Sequence, residues 1–457
     1  MSTEGPHWLA DRVLSAESGP PGAGTAERPP AAPKGFQGFG PCRWAGGRQP
    51  PGTSFMVPAD AQSVRRVVRE HCPRTPGVYG MVDADGELVY VGKSKCLRNR
   101  LLSYFSKSAA DTKAERIVEH TRRLLWEPAP HEFSALLREL ELIRRWLPRF
   151  NVLGRPGRFR RAYICLGRAP APYAYIAPRP SARDDALFGP LAGPGRWRIA
   201  VRAINHTFGL RDCPDRVPIV FSDQAQMFPG EHNPACMRHE LGTCLAPCAA
   251  QCSQRAYRDQ VRKAREFLAG GEPDVLKRLE QDMRCAAAAR QFERAAVLRD
   301  SLTALDELRQ QIARVDDAQR HYSFVYPLPA YGRGESWYLI RGGEVIGAVP
   351  SPAGARNARR CLEALDNAYR TSGPPLEFHD DLDSLLLVTA WFRARPEELQ
   401  RTIDPDEARR LCRTAADGGT DFQSVFNNRP NRNPSTARRS LSAATARADA
   451  ALNREAP

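Results

Sequence analysis

The sequence predicts an α+β protein: a small central antiparallel sheet flanked by helices, then a cysteine-rich α region, a helical hairpin and a small α/β remainder. Three observations carry this reading. GVYGMV and ELVYVG are short apolar runs separated by DADG, an Asp-Gly turn that suits an antiparallel hairpin. Residues 131–147 and 253–312 repeat apolar side chains at helical spacing. Residues 213–252 concentrate five of the twelve cysteines.

Composition narrows the function classes. A chain of 457 residues allows two to four domains, and 42% hydrophobic content supports folded cores. No apolar run approaches the roughly 18–20 residues of a membrane span. The opening MSTEGPHWLADRV has no charged start followed by an apolar block, which points to a cytoplasmic protein. Twelve cysteines in this length are too dilute for a disulfide scaffold. The formal charge of +15 points to an anionic partner, nucleic acid first.

Along the chain, residues 1–52 hold 9 Pro and 10 Gly without apolar periodicity and read as a disordered tail, as do residues 413–457. Asp60 caps a helix through AQSVRRVVREHC with Val64, Val67 and Val68 inward, stopped by Pro73 and Pro76. After the hairpin, KCLRNRLLSYF is helical, with Leu97, Leu101, Leu102 and Phe105 inward. A helix from about His131 to Leu147 ends at Pro148. YICLGR and YAYIAP read as strands, RIAVRAINHTF as a helix, and 253–269 and 274–312 as two further helical stretches.

Chemistry gathers at the hairpin. Its strands carry Tyr79 and Tyr90, and the following segment delivers Lys93, Lys95, Arg98, Arg100 and Lys107 with no acid between 93 and 107. Arg100 and Tyr104, four apart, share a helix face and could offer guanidinium and phenol donors to a phosphate. A solvated basic helix beside packed tyrosines is the plain alternative. In the helix over 131–147, Leu136, Leu140, Ile143 and Leu147 form one stripe, and Ala135, Glu139, Leu142 and Trp146 the next. Glu139 on that apolar face needs a partner, either a metal ion or a cation in a structural ion pair.

PGVY…YVGK…R…Y, a helix-borne Glu and then FNV together resemble the GIY-YIG nuclease domain as found in the UvrC family of excinuclease subunits. The resemblance implies a site of Tyr79, Tyr90, Lys93, Arg100 and Tyr104, with Glu139 as metal-binding carboxylate and Asn151 closing it, in a domain over 57–152. Val replaces Ile in both signature tripeptides. Mg²⁺ or Mn²⁺ on Glu139, Arg100 against the developing charge and a tyrosine base, Tyr79 first with Lys93 favouring its phenolate, would hydrolyse a phosphodiester of damaged double-stranded DNA.

Cys213, Cys236, Cys244 and Cys248 give C-x22-C-x7-C-x3-C, with Cys252 after a further x3 as a surplus candidate ligand, a pattern for a metal site in which spacing cannot separate zinc from iron–sulfur. Resemblance to the UvrC segment after the nuclease domain implies a 4Fe–4S cluster on the first four, in a linker and cysteine-cluster region over 153–252. FERAAVLRDSL resembles the UVR motif, which implies docking on UvrB through a hairpin at 276–308, within a helical region over 253–312. Residues 313–412 remain an unassigned α/β segment, with a strand-turn-strand at SWYLIRGGEVIGAVPSP and a helix start at HDDLDSLL. Neither an RNase H-like acidic pattern nor a tandem helix-hairpin-helix is read there. The expectation is a shortened form with one cutting centre, for the 3′ incision.

Overall fold

The structure, a computed structural model, describes residues 36–47, 52–56, 61–105, 112–151, 161–178, 181, 184–225, 236–271, 274–369 and 382–417. These fall into two compact units, one drawn from 1–151, 323–373 and 387–457, the other from 152–322 and 374–386.

The first unit opens with β1 (Thr53–Met56), α1 (Ala61–His71), β2 (Gly77–Val82), β3 (Leu88–Ser94), α2 (Leu97–Tyr104), α3 (Thr112–His120), β4 (Arg123–Pro128) and α4 (Glu132–Trp146). Its sheet runs β1-β4-β2-β3, antiparallel throughout. The expected hairpin is β2–β3. Asp60 and Lys107 lie outside the described residues.

Strand alternation gives the sheet two apolar faces. On one, Tyr79, Met81, Leu124 and Trp126 pack on α1, α2 and α3. On the other, Val78, Val91 and Leu125 meet Ala135, Leu142 and Ile143 of α4. His131 caps α4 by accepting from the Phe133 N–H, and Leu147 ends it at φ 50° before Pro148. Leu136 and Leu140 are only half-buried, so α4 turns the Ala135–Leu142 stripe inward.

Residues 36–47 correct the reading of an N-terminal tail to residue 52. Phe36 and Phe39 join the α4-side core, and Trp44 is buried. Gly and Pro dominate the composition there, but two aromatics spaced three apart supply the apolar area that fixes the segment.

In the second unit β5 (Arg161–Gly167), β6 (Tyr173–Ala177) and β7 (Ala186–Ala192) form a sheet in the order β6-β5-β7. Helices α5 (Arg198–Thr207), the short α6 (Ser222–Ala225) and α7 (Met237–Glu240), and α8 (Gln254–Leu268) follow. The hairpin expected at 276–308 is α9 (Asp274–Ala288) and α10 (Phe292–His321), the latter nine residues longer than the reading to 312.

Residues 323–373 and those from 387 return to the first unit. β8 (Phe324–Pro329), β9 (Glu335–Arg341) and β10 (Glu344–Pro350) form a meander, backed by α11 (Ala355–Ala368) and α13 (Pro405–Ala416), with α12 (Leu382–Ala394) between these helices in sequence. Gly342 and Gly343, at φ 56° and 83°, make the β9–β10 turn, a pair of left-handed positions that explains the Gly-Gly. Far from standing apart, this region packs on α4 and on residues 44–45. Phe133 of α4 meets Tyr326, Tyr338 and Trp391 edge-on at 5.3–5.5 Å. Ser336 and Tyr338 donate to the carbonyls of Ala45 and Trp44. Helix α13 also runs four residues into the expected C-terminal tail.

Candidate active site

Pairing of β2 with β3 sets Tyr79 opposite Gly92 and Met81 opposite Tyr90, so both tyrosines stand on one face. Helix α2 starts three residues after β3 and brings Arg100 and Tyr104, one turn apart, to that spot. The three phenol rings form a triangle with centroids 5.9–6.4 Å apart. The Tyr79 and Tyr104 hydroxyls share a hydrogen bond of 3.1 Å. Arg100 Nε donates to the Tyr79 hydroxyl at 3.3 Å, and Nη2 to that of Tyr104 at 3.5 Å.

Burial pushes the Tyr79 phenol well above its ordinary pKa; the two neighbouring phenols add to this and Arg100 opposes it. Tyr90 is raised for the same first reason, and it also feels the charge of Glu139. Lys93 does not stand where the phenolate argument needs it. Its ammonium lies 3.5 Å from Glu132, in the first turn of α4, which also pairs with Lys95 at 3.6 Å and Arg395 at 2.7 Å. Arg100 is the cation at Tyr79. Glu132 went unread in the sequence, although an acid in the first turn after a helix cap is a recognisable signal.

Glu139 comes from α4. Its Oε1 accepts from the Lys93 backbone N–H at 3.0 Å, and it makes no ion pair among the described residues. Desolvation raises its pKa to about 7 against the charges of Lys93 and Arg100 and the Lys93 N–H. The structural ion pair weighed from the sequence is therefore not how this carboxylate is satisfied. Asn151 acts at one remove from the cleft. Its side chain accepts from Val91 N–H at 2.8 Å and donates to Val91 O at 2.7 Å, fixing β3 between Tyr90 and Gly92.

Gly92 explains its own place in the signature. A Cβ there would lie 2.5 Å from the Tyr79 hydroxyl. Gly92→Ala should therefore displace that hydroxyl from Arg100 and lower any activity of this site by about 10²-fold, the cost of a misplacement near 1 Å. Circular dichroism and melting close to the parent, with activity lost, is the expected result.

In the second unit Cys213, Cys236, Cys244 and Cys248 lie near enough to perturb one another. Burial pushes Cys244 to about 11, and the other three thiols add to the rise. Ala246, at φ 52°, donates its N–H to Cys244 Sγ at 3.3 Å. Cys252, also raised to about 11 by burial, feels Cys248 but not the other three. Among the described residues no set of three or more His, Cys, Asp or Glu is arranged to hold a metal ion. The thiols are neighbours without ligand geometry.

Comparison with known proteins follows this geometry. Family profiles match in order: a UvrC-like GIY-YIG domain at 75–152, the UvrC/Cho excinuclease middle domain at 162–267, and the UvrB/uvrC motif at 274–308. Residues 75–152, 162–267 and 274–308 are thus similar to three successive segments described for UvrC-type proteins. UvrABC system protein C of Alcanivorax borkumensis is 36% identical over 242 residues, 53% of this chain and 38% of that protein. Its counterpart from Sphingopyxis alaskensis is 36% identical over 247 residues, 54% and 36%. The chain thus spans less than two-fifths of the length of these UvrC relatives. The GIY-YIG N-terminal endonuclease domain of UvrC from Thermotoga maritima, solved with its catalytic divalent cation magnesium, is 33% identical, covering 20% of this chain and 98% of that one with a TM-score of 0.18. Within the UvrC-type motif, Phe292 and Val297 of α10 are exposed, at 69% and 66%. No helix among the described residues is long and apolar enough to cross a membrane.

Proposed function

We propose that the chain is a metal-dependent DNA endonuclease of nucleotide excision repair, hydrolysing one phosphodiester on the 3′ side of a lesion in complex with UvrB. The observation that carries this is the convergence of Arg100 and three phenols beside a desolvated carboxylate, Glu139. Such a carboxylate, held by one backbone N–H and no cation side chain, suits a hard divalent ion that keeps waters as its other ligands. A bound Mg²⁺ or Mn²⁺ would supply Lewis acidity to the phosphoryl oxygens and leaving alkoxide. Arg100, preorganised by two phenols, neutralises charge on the phosphate. Tyr90 is half-buried and lies near Glu139, so it is better placed than the sealed Tyr79 to relay the water proton, accepting it as its own hydroxyl proton passes to solvent. Tyr79 instead orients Arg100.

The deciding experiment is the purified protein with UvrB on a lesion-bearing duplex, with and without Mg²⁺. One metal-dependent cut 3′ of the lesion is expected, and Tyr90→Phe should slow it more than Tyr79→Phe. Binding without any cut favours a non-catalytic adaptor for DNA and UvrB. Phe292, exposed at the start of α10, is the apolar residue proposed to dock on UvrB, so Phe292→Asp should weaken that complex while sparing the fold.

The spacing of Cys213, Cys236, Cys244 and Cys248, within the stretch similar to the UvrC/Cho middle domain, is what supports a 4Fe–4S cluster there, zinc being the alternative; the arrangement of the thiols in the structure adds nothing to it. Anaerobically purified protein should then carry about four irons and lose them in Cys244→Ser but not in Cys252→Ser. Stoichiometric zinc without iron would replace the cluster by zinc.

A further inference from the structure

The second unit carries another cluster of guanidinium and phenol groups, which the proposed reaction leaves unused. Tyr173 and Tyr175, two apart on β6, share a face. Arg168 lies over the Tyr175 ring at 4.2 Å, and Arg211 over Tyr173 at 4.8 Å. Arg168 holds φ 72°, a conformation a non-glycine residue keeps only where its surroundings impose it.

The platform is rigid. Asn205 grips both backbone groups of Ala174, between the tyrosines, at 2.9 and 3.0 Å. The Tyr257 hydroxyl donates to Pro172 O and accepts from the Arg211 N–H, tying Arg211 to the same strand.

Beside it opens a cleft of about 450 Å³ lined by Arg168, Arg211, Arg216 and Asp215, with Pro218 and Ile219 as an apolar wall. Asp215 occupies the cationic centre. It accepts from Arg168 Nη1, from Arg211 Nη2 at 2.6 Å and from the Tyr173 hydroxyl at 2.9 Å. Two guanidinium groups and a phenol thus converge on one carboxylate, and Arg216 adds a third guanidinium to the cleft lining. Arg211, only 3% exposed, keeps its Nε–H without a hydrogen-bond partner among the described residues. A buried donor left unpaired is costly, so the Arg211 side chain is not fully satisfied by its present partners.

We propose that this cleft binds an unpaired segment of DNA strand: a backbone phosphate replaces Asp215 between Arg168 and Arg211, and the adjoining base stacks on the outer face of the Arg168 guanidinium. Stacking on arginine planes and aromatic rings is how single strands are held without base reading. The inference rests on DNA being the substrate class proposed above. It does not rest on cutting, since nothing in the cleft involves Glu139 or a divalent ion.

The test is fluorescence anisotropy of the full chain with a labelled 12-mer of thymidine in EDTA, with melting curves for each variant. Arg168→Ala and Tyr175→Leu should weaken binding by about fivefold or more, and Tyr175→Phe should leave it near the parent. An abasic 12-mer should bind more weakly than the thymidine 12-mer. Asp215→Asn, which removes the competing carboxylate, should tighten binding severalfold, a gain that a merely structural role for Asp215 would not produce. Unchanged binding in both Arg168→Ala and Asp215→Asn overturns the proposal and leaves a structural ion-pair cluster; equal binding of the abasic strand also overturns it. Glu139→Gln serves as the control. Lost nicking with intact 12-mer binding concerns the nuclease alone, and lost 12-mer dependence with intact nicking concerns this cleft alone.

Discussion

Glu139→Gln is expected to abolish metal-dependent nicking, by about 10³-fold or more, while DNA binding persists. The amide has the same shape, and its oxygen can still accept from the Lys93 N–H, so the loss would isolate the charge. The pH dependence follows from the raised pKa. With the carboxyl titrating at about 7, a divalent ion competes with a proton below that pH, and apparent metal affinity should fall up to about tenfold per pH unit. Lys93 and Arg100 oppose the shift, and the Tyr90 phenol stands beside the carboxylate. The sign for stability is the reverse of an ordinary surface carboxylate. Between the unfolded value near 4.5 and about 7 the folded state holds a proton that the unfolded chain releases, so stability without metal falls as pH rises through this window. Glu139→Gln removes that loss. In EDTA it should melt above the parent at pH 8 and level with it at pH 4. Equal melting at both values would contradict the raised carboxyl pKa, and retained nicking would remove Glu139 from the metal site.

Much of this site was legible in the sequence because it depends on local spacing. The Asp-Gly turn fixes the β2–β3 register, the register fixes Tyr79 beside Tyr90, and the four-residue step from Arg100 to Tyr104 is one helical turn. Partners from distant segments were not legible. Nothing near Lys93 announces that Glu132 will take its ammonium, or that Arg395, 263 residues further on, will join them. Burial hides in the same way: a tyrosine in a strand reads alike whether its hydroxyl meets water or, as at Tyr79, is sealed under Gly92. Composition misled at residues 36–47, where Gly and Pro outnumber the aromatics, because two Phe and a Trp decide the packing.

Arg138 shows the same limit and makes the largest stability prediction. In the sequence it is one basic residue among several on α4, yet it is 0% exposed. Its Nε and Nη2 donate to the Glu127 carboxylate at 3.0 and 3.1 Å, and Nη1 pairs with Glu141 at 3.1 Å. The remaining N–H groups reach Gly40 O at 2.6 Å and Pro41 O at 3.0 Å, so this fork fastens residues 36–47 to β4 and α4. Arg138→Met should cost about 3–5 kcal/mol, because Glu127, itself 3% exposed, becomes an unpaired buried charge. Arg138→Lys should recover little, since a single ammonium cannot serve a bidentate carboxylate and two carbonyls at once. Arg138→Met combined with Glu127→Leu should recover a substantial part, because the penalty lies in the stranded charge more than in the lost pair. Urea unfolding of the parent, Arg138→Met, Glu127→Leu and the double variant closes the cycle. Additive losses in the double variant would mean that the arginine acts mainly through the Gly40 and Pro41 carbonyls, and Phe36 and Phe39 should then become accessible to protease first.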